Sequence, residues 1–142
     1  MSLFDMQYVE KSQKMINKVY EMPGLKTCPI EATFSIIGKR WTVLILREMF
    51  RGVKQFNRFH ENIEGMTSKM LSLRLRELER NKIISRKIIS DHPVRVEYEL
   101  TELGQKLGPL LLLAASFSMR QLPKVIFKDG KSRNPMELTT RS

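Results

Sequence analysis

The sequence has little or none of several residue types and patterns, and each shortage excludes a class of protein. Its 142 residues contain one cysteine, Cys28, which excludes an internal disulfide framework and a cysteine-rich zinc site. The longest apolar run, residues 110–115, is far shorter than the roughly 20 residues of a membrane-spanning helix. The first residues lack the apolar core of a signal peptide. We therefore expect a cytoplasmic protein with no membrane partner.

Motifs for catalysis and metal binding are also missing. Gly38-Lys39 does not belong to a phosphate-binding loop, because Thr33 stands where that loop needs a glycine. His60 and His92 are isolated and have no partner at the spacing of metal ligands. The sequence predicts a protein that is not an enzyme and that has no metal site and no cofactor.

Acidic residues are scarce relative to basic ones. Lysine and arginine number 25 and aspartate and glutamate 15, so the formal net charge is +10. Residues 39–96 contain 14 of the basic and six of the acidic residues, which places +8 of the total there. A charge that served only solubility would be spread more evenly. The concentrated excess favours a polyanionic partner, first of all nucleic acid.

The spacing of apolar residues predicts a mainly α-helical chain with one small β-hairpin, an α+β fold. Helical spacing occurs over residues 4–20, twice within residues 30–50 and over residues 55–63, 67–81 and 101–121, with Pro109 expected to kink the last helix. The β-branched runs 83–90 and 94–100 predict the hairpin. Two short helices joined by a glycine turn and followed by a hairpin form a winged helix-turn-helix.

This order of elements divides the chain into four parts. We expect an N-terminal dimerisation helix in residues 1–22 and a winged helix-turn-helix domain in residues 28–104. A C-terminal dimerisation helix follows in residues 101–122, and a loosely ordered basic tail in residues 123–142.

Residues 67–81 are the predicted recognition helix. Thr67 or Ser68 can cap its first turn, and Leu71, Leu75 and Leu78 form its buried stripe. The opposite face is basic; taken alone it is also typical of a solvated surface, but its place between a helix-turn and a hairpin favours DNA. The expected DNA contacts come from this helix, from the wing at residues 83–100 and from flanking phosphate clamps: Ser68, Lys69, Ser72, Leu73, Arg76, Arg80, Arg86, Lys87, His92, Arg95, Arg51, Lys54, Arg58 and Lys82.

Chemistry assigns roles to some of these side chains. Arg76 can bind guanine O6 and N7 with two hydrogen bonds, and Leu73 can contact a thymine methyl group. For Arg95 an ion pair with Glu97 or Glu99 is the alternative to a DNA contact. Trp41 and the nearby phenylalanines Phe34, Phe50, Phe56 and Phe59 are better explained by core packing than by an effector pocket.

Residues 110–115 are apolar on every helical face, which is more than one small domain buries from one side. We therefore expect a second copy of the chain to cover this segment together with the first helix. The predicted dimer interface consists of Tyr8, Ile16, Tyr20, Leu110, Leu111, Leu112, Leu113 and Phe117.

The motifs from residue 28 to about residue 120 resemble those of the HxlR-type winged-helix transcriptional regulators, relatives of the MarR group. The resemblance rests on these segments, in the order found in that family: residues 28–31, 37–41, 44–48, 65–71, 75–79, 95–98 and 100–104, with Phe56 and Phe59. It implies a homodimeric DNA-binding regulator whose terminal helices form the dimer. Cys28 has two readings. In a reducing cytoplasm a lone cysteine is usually a small buried residue, whereas the resemblance implies a redox or electrophile sensor like the cysteine found there in some of these proteins.

Together these features predict a homodimeric, sequence-specific regulator on a pseudo-palindromic site in double-stranded DNA, with an unidentified small-molecule or redox effector. One alternative is a protein that binds or packages nucleic acid without regard to sequence. Another is a winged helix that binds proteins instead of DNA.

Overall fold

The computed structural model describes residues 4–140, with the side chains of residues 139 and 140 left aside. It consists of helices and one two-stranded hairpin. In chain order, these elements are α1 Met6–Tyr20, α2 Pro29–Ile37, α3 Thr42–Phe50, α4 Phe56–Asn62, α5 Ser68–Arg80, β1 Ile84–Asp91, β2 Val94–Leu100, α6 Glu102–Gln105, α7 Gly108–Gln121 and α8 Pro123–Ile126, followed by a 3₁₀ turn at Pro135–Thr140. The predicted fold class, mainly α with a β-hairpin wing, is confirmed.

The chain forms two compact units. The core unit is Phe34–Ala114, and the terminal unit combines Met1–Thr33 with Ala115–Ser142. The boundaries between the units fall within α2 and α7.

The core unit is organised around apolar side chains of α3, α4, α5 and β1. The buried cluster consists of Ile37, Ile45, Leu46, Met49, Phe59, Ile63, Met66, Leu71, Leu75, Leu78, Ile83 and Ile84. The three leucines of α5 occur at helical spacing, so one face of this helix is fully buried and the predicted stripe is confirmed. This burial fixes how α5 is rotated about its axis.

α3 differs from the expected helix that is buried on all sides. Ile45, Leu46 and Met49 are buried, but Val43 and Phe50 are exposed. The buried side of α3 also includes a carboxylate, Glu48. The helix is therefore buried on one face only.

The hairpin pairs β1 and β2 in antiparallel register from Ile84↔Leu100 to Asp91↔Val94, with a bulge between Ile88 and Ser90. The hairpin is attached to the loop between α3 and α4, since the Tyr98 amide donates to the Lys54 carbonyl at 2.8 Å. The predicted hairpin is confirmed at the predicted position.

The segment after the hairpin forms two helices instead of one kinked helix. Thr101 caps α6, and its hydroxyl accepts from the Gly104 amide at 3.0 Å. α6 ends at Gln105, and α7 starts at Gly108, so Pro109 lies in a first turn where its missing amide costs nothing. Gly104 has no side chain because a Cβ there would collide with the Ile83 carbonyl.

The terminal unit contains little buried apolar surface. Asp5 caps α1 by accepting from the Tyr8 amide at 2.8 Å, but no residue of α1 is buried. The rings of Phe4 and Phe117 meet edge to face with centroids 6.2 Å apart. The tail is more regular than expected, since it contains α8, the 3₁₀ turn and an ion pair between Asp129 and Arg133.

No helix within residues 4–140 is both long and apolar enough to cross a lipid bilayer.

Candidate nucleic-acid interface

The turn between α4 and α5 determines where the predicted recognition helix begins. Gly65 has φ +80°, a left-handed conformation that favours glycine. Thr67 then accepts from the Met70 amide at 3.1 Å and caps α5. The chain therefore enters α5 through a short, defined helix-turn-helix connection.

α5 presents one face to solvent while its leucines anchor the other. Lys69, Leu73, Arg76 and Arg80 are exposed and Ser72 is half-buried. These positions recur at three- and four-residue intervals, so they share the side of the helix opposite the buried stripe. All five were predicted as DNA contacts, and the structure brings them onto one surface.

Arg74 is a cation of α5 that faces inward. Its side chain is only 13% exposed, its Nε donates to the Arg40 carbonyl at 2.9 Å, and its guanidinium pairs with Glu77 at 3.0 Å. Lys39 pairs with the same carboxylate at 3.1 Å. Burial raises the pKa of Glu77, but the hydrogen bonds from Lys39 and Arg74 outweigh it and lower the pKa overall. Arg74 therefore fastens α5 to the turn between α2 and α3.

A second carboxylate, Glu48, holds two arginines at the end of α3. Its side chain is 1% exposed, and it accepts from Arg47, Arg51 and Asn62, each at 3.0 Å. Burial raises the pKa of Glu48, and the hydrogen bonds from Asn62, Arg51 and Arg47 more than reverse this, so the net pKa is lowered. Arg51, predicted as a phosphate clamp, is thus positioned by a buried acid.

A third carboxylate, Glu99, lies in β2 between two predicted DNA contacts. It accepts from Lys54 and from Lys87, each at 3.0 Å. The bonds from Lys87 and Lys54 lower the pKa of Glu99, and the bond to Glu99 raises the pKa of Lys54. The ion pairs connect the wing to the loop between α3 and α4.

The remaining predicted clamps are on the surface. Arg58 approaches Glu61 at 3.9 Å. Ser68 is the first residue of α5, and His92 lies at the hairpin tip; both are exposed. Lys82 follows α5 with φ 61°, and its carbonyl accepts from the Thr101 hydroxyl at 2.6 Å.

Several cations of residues 39–96 have no acidic partner among the residues that the structure describes. Apart from Arg40, they lie on α5, directly after it, or on the wing: Lys69, Arg76, Arg80, Lys82, Arg86 and Arg95. The alternative ion pair of Arg95 is not formed, since Glu99 binds lysines instead.

A cleft lies between α5 and the wing. It has a volume of about 450 Å³, and its walls carry Ser72 and Arg76 of α5 and Arg86 of β1, together with Glu79 and Tyr98. Arg76 and Arg86, which are ten residues apart in the sequence, therefore face one space. The walls of the cleft therefore carry two positive charges and one negative charge.

Glu79, Tyr98 and the three bridging glutamates were missed by sequence interpretation. The Arg74–Glu77 pair, separated by three residues in one helix, carried a local signal. The pairs of Lys39 with Glu77 and of Lys54 with Glu99 carried none, because 38 and 45 residues separate the partners.

Cys28 lies just before α2 and contacts a tyrosine. The Tyr20 hydroxyl is 3.0 Å from Sγ, and the Glu31 amide donates to Sγ at 3.4 Å. The bond from Tyr20, supported by the Glu31 amide, lowers the pKa of the Cys28 thiol, and the same bond raises the pKa of Tyr20. Cys28 is partly exposed, which argues against the first of its two readings, a small buried residue.

The residues predicted for a dimer interface fall into two groups. Leu110 and Leu111 pack against the core of their own chain, and Tyr8 is half-buried. The others are exposed in the single chain: Ile16, Tyr20, Leu112, Leu113 and Phe117.

The five aromatic residues that were expected in the core also fall into two groups. Phe59 is fully buried, and Trp41 and Phe56 pack against the core. Phe34 and Phe50 are exposed, which differs from the expected core packing. In the part of the chain that is described, no three His, Cys, Asp or Glu side chains are grouped as metal ligands.

Comparison with known proteins agrees with this architecture. Residues 36–125 match the model of a family described as HxlR-like helix-turn-helix. YdeP of Bacillus subtilis strain 168, an uncharacterized HTH-type transcriptional regulator, is 41% identical over 93 residues, which are 66% of this chain and 73% of YdeP.

Solved structures are similar as well. The reduced form of the transcriptional regulator YodB from B. subtilis has a TM-score of 0.59 and 39% identity, over 65% of this chain and 91% of YodB. The reduced form of the redox regulator HypR has a TM-score of 0.61 and 37% identity, over 64% of this chain and 90% of HypR.

Proposed function

Since the chain belongs to the HxlR-like helix-turn-helix family, we propose that it binds a pseudo-palindromic operator as a homodimer and reads its sequence through α5. It is a transcriptional regulator with a winged helix-turn-helix DNA-binding fold. We place its activity in the cytoplasm, where a bacterial or archaeal regulator meets its DNA.

The observation that carries this proposal is the outer face of α5 with its unpaired cations. A major groove about 12 Å wide admits one α-helix, and each base pair presents a distinct pattern of donors and acceptors there. Arg76 projects from this face and can form the two-bond contact with guanine. Leu73 is 40% exposed although it is apolar, and a thymine methyl group is a suitable partner for it.

The wing extends the same surface. Arg86 shares the cleft with Arg76, and Arg95 lies near the tip of the hairpin without an acidic partner among the described residues. With α5 in the major groove, these cations reach the flanking backbone or the minor groove. Glu79 in the cleft repels phosphate but can accept from cytosine N4, so it adds specificity more than affinity.

The dimer is supported by apolar side chains that the single chain leaves exposed. Leu112 and Leu113 of α7 are 42% and 43% exposed, and Phe117 is 48% exposed. Two copies would place their α5 helices in successive major grooves about 34–36 Å apart. Light scattering at micromolar concentration tests this, and a monomer would refute it.

Footprinting on fragments of the source genome tests the proposed function. Selection of bound fragments followed by DNase I protection should give a protected palindrome with half-sites one helical turn apart. Uniform coverage would instead support sequence-independent packaging. If no gel shift occurs even at low salt, the result supports a winged helix that binds proteins instead of DNA.

We propose in addition that Cys28 is a thiol switch. The contact with Tyr20 favours the thiolate, which is the reactive form. Two Cys28 thiolates from two chains can form one disulfide while diamide takes up the two electrons and, with two protons, becomes the hydrazine. HypR has been solved in a reduced and an oxidized form, and YodB after diamide treatment.

Non-reducing electrophoresis after diamide treatment tests the switch. The native chain should give a covalent dimer and altered operator binding, and Cys28→Ser should give neither. Tyr20→Phe should shift the pH profile of iodoacetamide alkylation to higher pH, since it removes the hydrogen bond. If diamide produces no covalent dimer and no change in DNA binding, Cys28 has a structural role and is not a switch.

A further inference from the structure

An apolar cavity in the core unit has no part in the proposed DNA contacts. Its volume is about 550 Å³, in the range of small-molecule sites. Side chains of α2, α3 and α7 and of the turn before α3 form its walls: Phe34, Ile37, Trp41, Leu44, Leu110 and Leu111. Two aromatic rings and several aliphatic side chains suit a flat, largely apolar ligand.

The charge at this cavity is of one sign. Its lining includes Lys39 and Arg40 and no acidic residue. Lys39 is engaged by Glu77 at 3.1 Å. The Arg40 guanidinium lies 4.6 Å from the centre of the Trp41 ring, and no acidic partner for it occurs within residues 4–140. Arg40 is therefore available to a carboxylate, which a guanidinium binds with two hydrogen bonds.

The wall of the cavity is connected directly to the DNA-reading helix. The Arg40 carbonyl accepts from Arg74 of α5 at 2.9 Å. A Cβ built on Gly65, in the turn before α5, would lie 3.4 Å from Cη2 of Trp41, so the indole packs against that turn. Trp41 itself has φ 79°, a conformation that is strained for a residue with a side chain. A ligand that moves Trp41 or Arg40 thus acts on both the start and the middle of α5.

The cavity is distinct from the apolar surface assigned to the dimer. Leu110 and Leu111 line it and pack against the core, whereas Leu112 and Leu113 are exposed and do not line it. The same helix therefore serves two surfaces, one for a ligand and one for a second chain.

We propose that this cavity binds a small aromatic carboxylate, with Arg40 holding the carboxylate and the ring lying against Trp41 and Phe34, and that occupancy weakens DNA binding. The regulatory half rests on the proposed function, and the binding half does not. The ligand displaces Arg40 from the indole and shifts the contacts that Trp41 and the Arg40 carbonyl make with α5 and its preceding turn.

The single tryptophan makes the binding half directly observable. In the full-length ¹⁵N-labelled chain, the one indole N–H signal belongs to Trp41. Titration with naphthalene-1-carboxylate should shift this signal saturably, and the neutral naphthalene-1-carboxamide should bind about tenfold more weakly because it lacks the charged acceptor. Arg40→Met should remove this tenfold preference, whereas Lys26→Met, a loss of the same charge outside the cavity, should not.

A cavity-filling variant and operator binding complete the test. Ala114 also lines the cavity, so Ala114→Phe should abolish binding of both compounds. Circular dichroism verifies the fold of this variant, and Arg40→Met remains decisive if Ala114→Phe is unfolded. Saturating carboxylate should weaken operator binding by the native chain about fivefold or more. The proposed site is overturned if the indole signal does not shift saturably, or if the acid and the amide bind equally well. Binding without a change in operator affinity would overturn the regulation, and failure to bind any operator would count against the proposed function alone.

Discussion

Apart from Arg40 and Arg58, the cations of residues 39–96 fall into two groups that look alike in the sequence and differ in the structure. One group is held by three glutamates, each of which binds two cations: Glu48, Glu77 and Glu99. The other group, on α5, directly after it and on the wing, has no acidic partner among the described residues. Arg74 and Arg76 illustrate the difference, since they are two residues apart in one helix and face opposite surroundings. A net charge therefore overstates what a partner can use, and the unpaired cations mark the surface that can bind DNA.

The largest expected effect concerns the anchoring of α5, which carries more of these unpaired cations than any other element. Leu75→Ala should lower the free energy of unfolding by about 2–5 kcal/mol, because Leu75 is 1% exposed and its loss leaves a cavity. Leu73→Ala, on the outer face of the same helix, should stay within about 0.5 kcal/mol. Urea denaturation measures both, and similar losses would contradict the assignment of the two faces.

A smaller effect separates base reading from phosphate binding within the unpaired group. Arg76→Ala should cost about 1–3 kcal/mol on the operator and little on random DNA, since it removes a contact to base edges. Lys82→Ala should weaken binding to both and reduce the salt slope by about 1, as a phosphate contact does. Fluorescence anisotropy over a range of salt concentrations distinguishes them. If Arg76→Ala lowers the affinity for the operator and for random DNA equally, Arg76 does not read bases.

At the wing, one substitution can free two cations of the paired group from their glutamate. Glu99→Gln should release Lys54 and Lys87, strengthen binding to random DNA and steepen its salt slope by about 1–2. Glu10→Gln, in α1 and with no ion pair in the described structure, removes the same charge away from these lysines and serves as the control. If both variants behave alike, the two lysines do not contact phosphate.

The smallest expected effect is a pH dependence of stability that comes from Glu48, the buried glutamate that binds Arg47 and Arg51. The pKa of Glu48 is lowered in the folded state from its ordinary value of 4.5, so its ionised form stabilises the fold above that pH. This contribution is lost as the pH falls below 4.5 through the lowered pKa. Native protein should therefore lose more stability than Glu48→Gln between pH 7 and pH values below 4.5. Parallel losses in thermal unfolding would show that Glu48 gains nothing from Arg47, Arg51 and Asn62.

Much of the candidate interface followed from local sequence patterns. The cap at Thr67 and the stripe of Leu71, Leu75 and Leu78 depend on neighbours within one or two helical turns, so spacing alone predicted them. The prediction that Pro109 kinks the last helix was wrong, because whether a proline kinks a helix or starts one depends on where the preceding helix ends. The exposure of Phe34 and the burial of Glu48 depended on which elements pack against α2 and α3, and composition does not contain that information.

The sequence by itself determined the order of the elements up to the end of the hairpin, the boundaries of α5 to within one residue and the identity of its outward face. Helical periodicity and capping are properties of consecutive residues, so they needed no three-dimensional neighbours. Only the tertiary structure decided which cations are free, because Glu77 and Glu99 reach Lys39 and Lys54 across 38 and 45 residues. It also decided that Arg40 and Trp41 border a cavity and contact α5 and its preceding turn at once. Ion pairing and cavity formation act over distances in space, and a chain brings such residues together only when it folds.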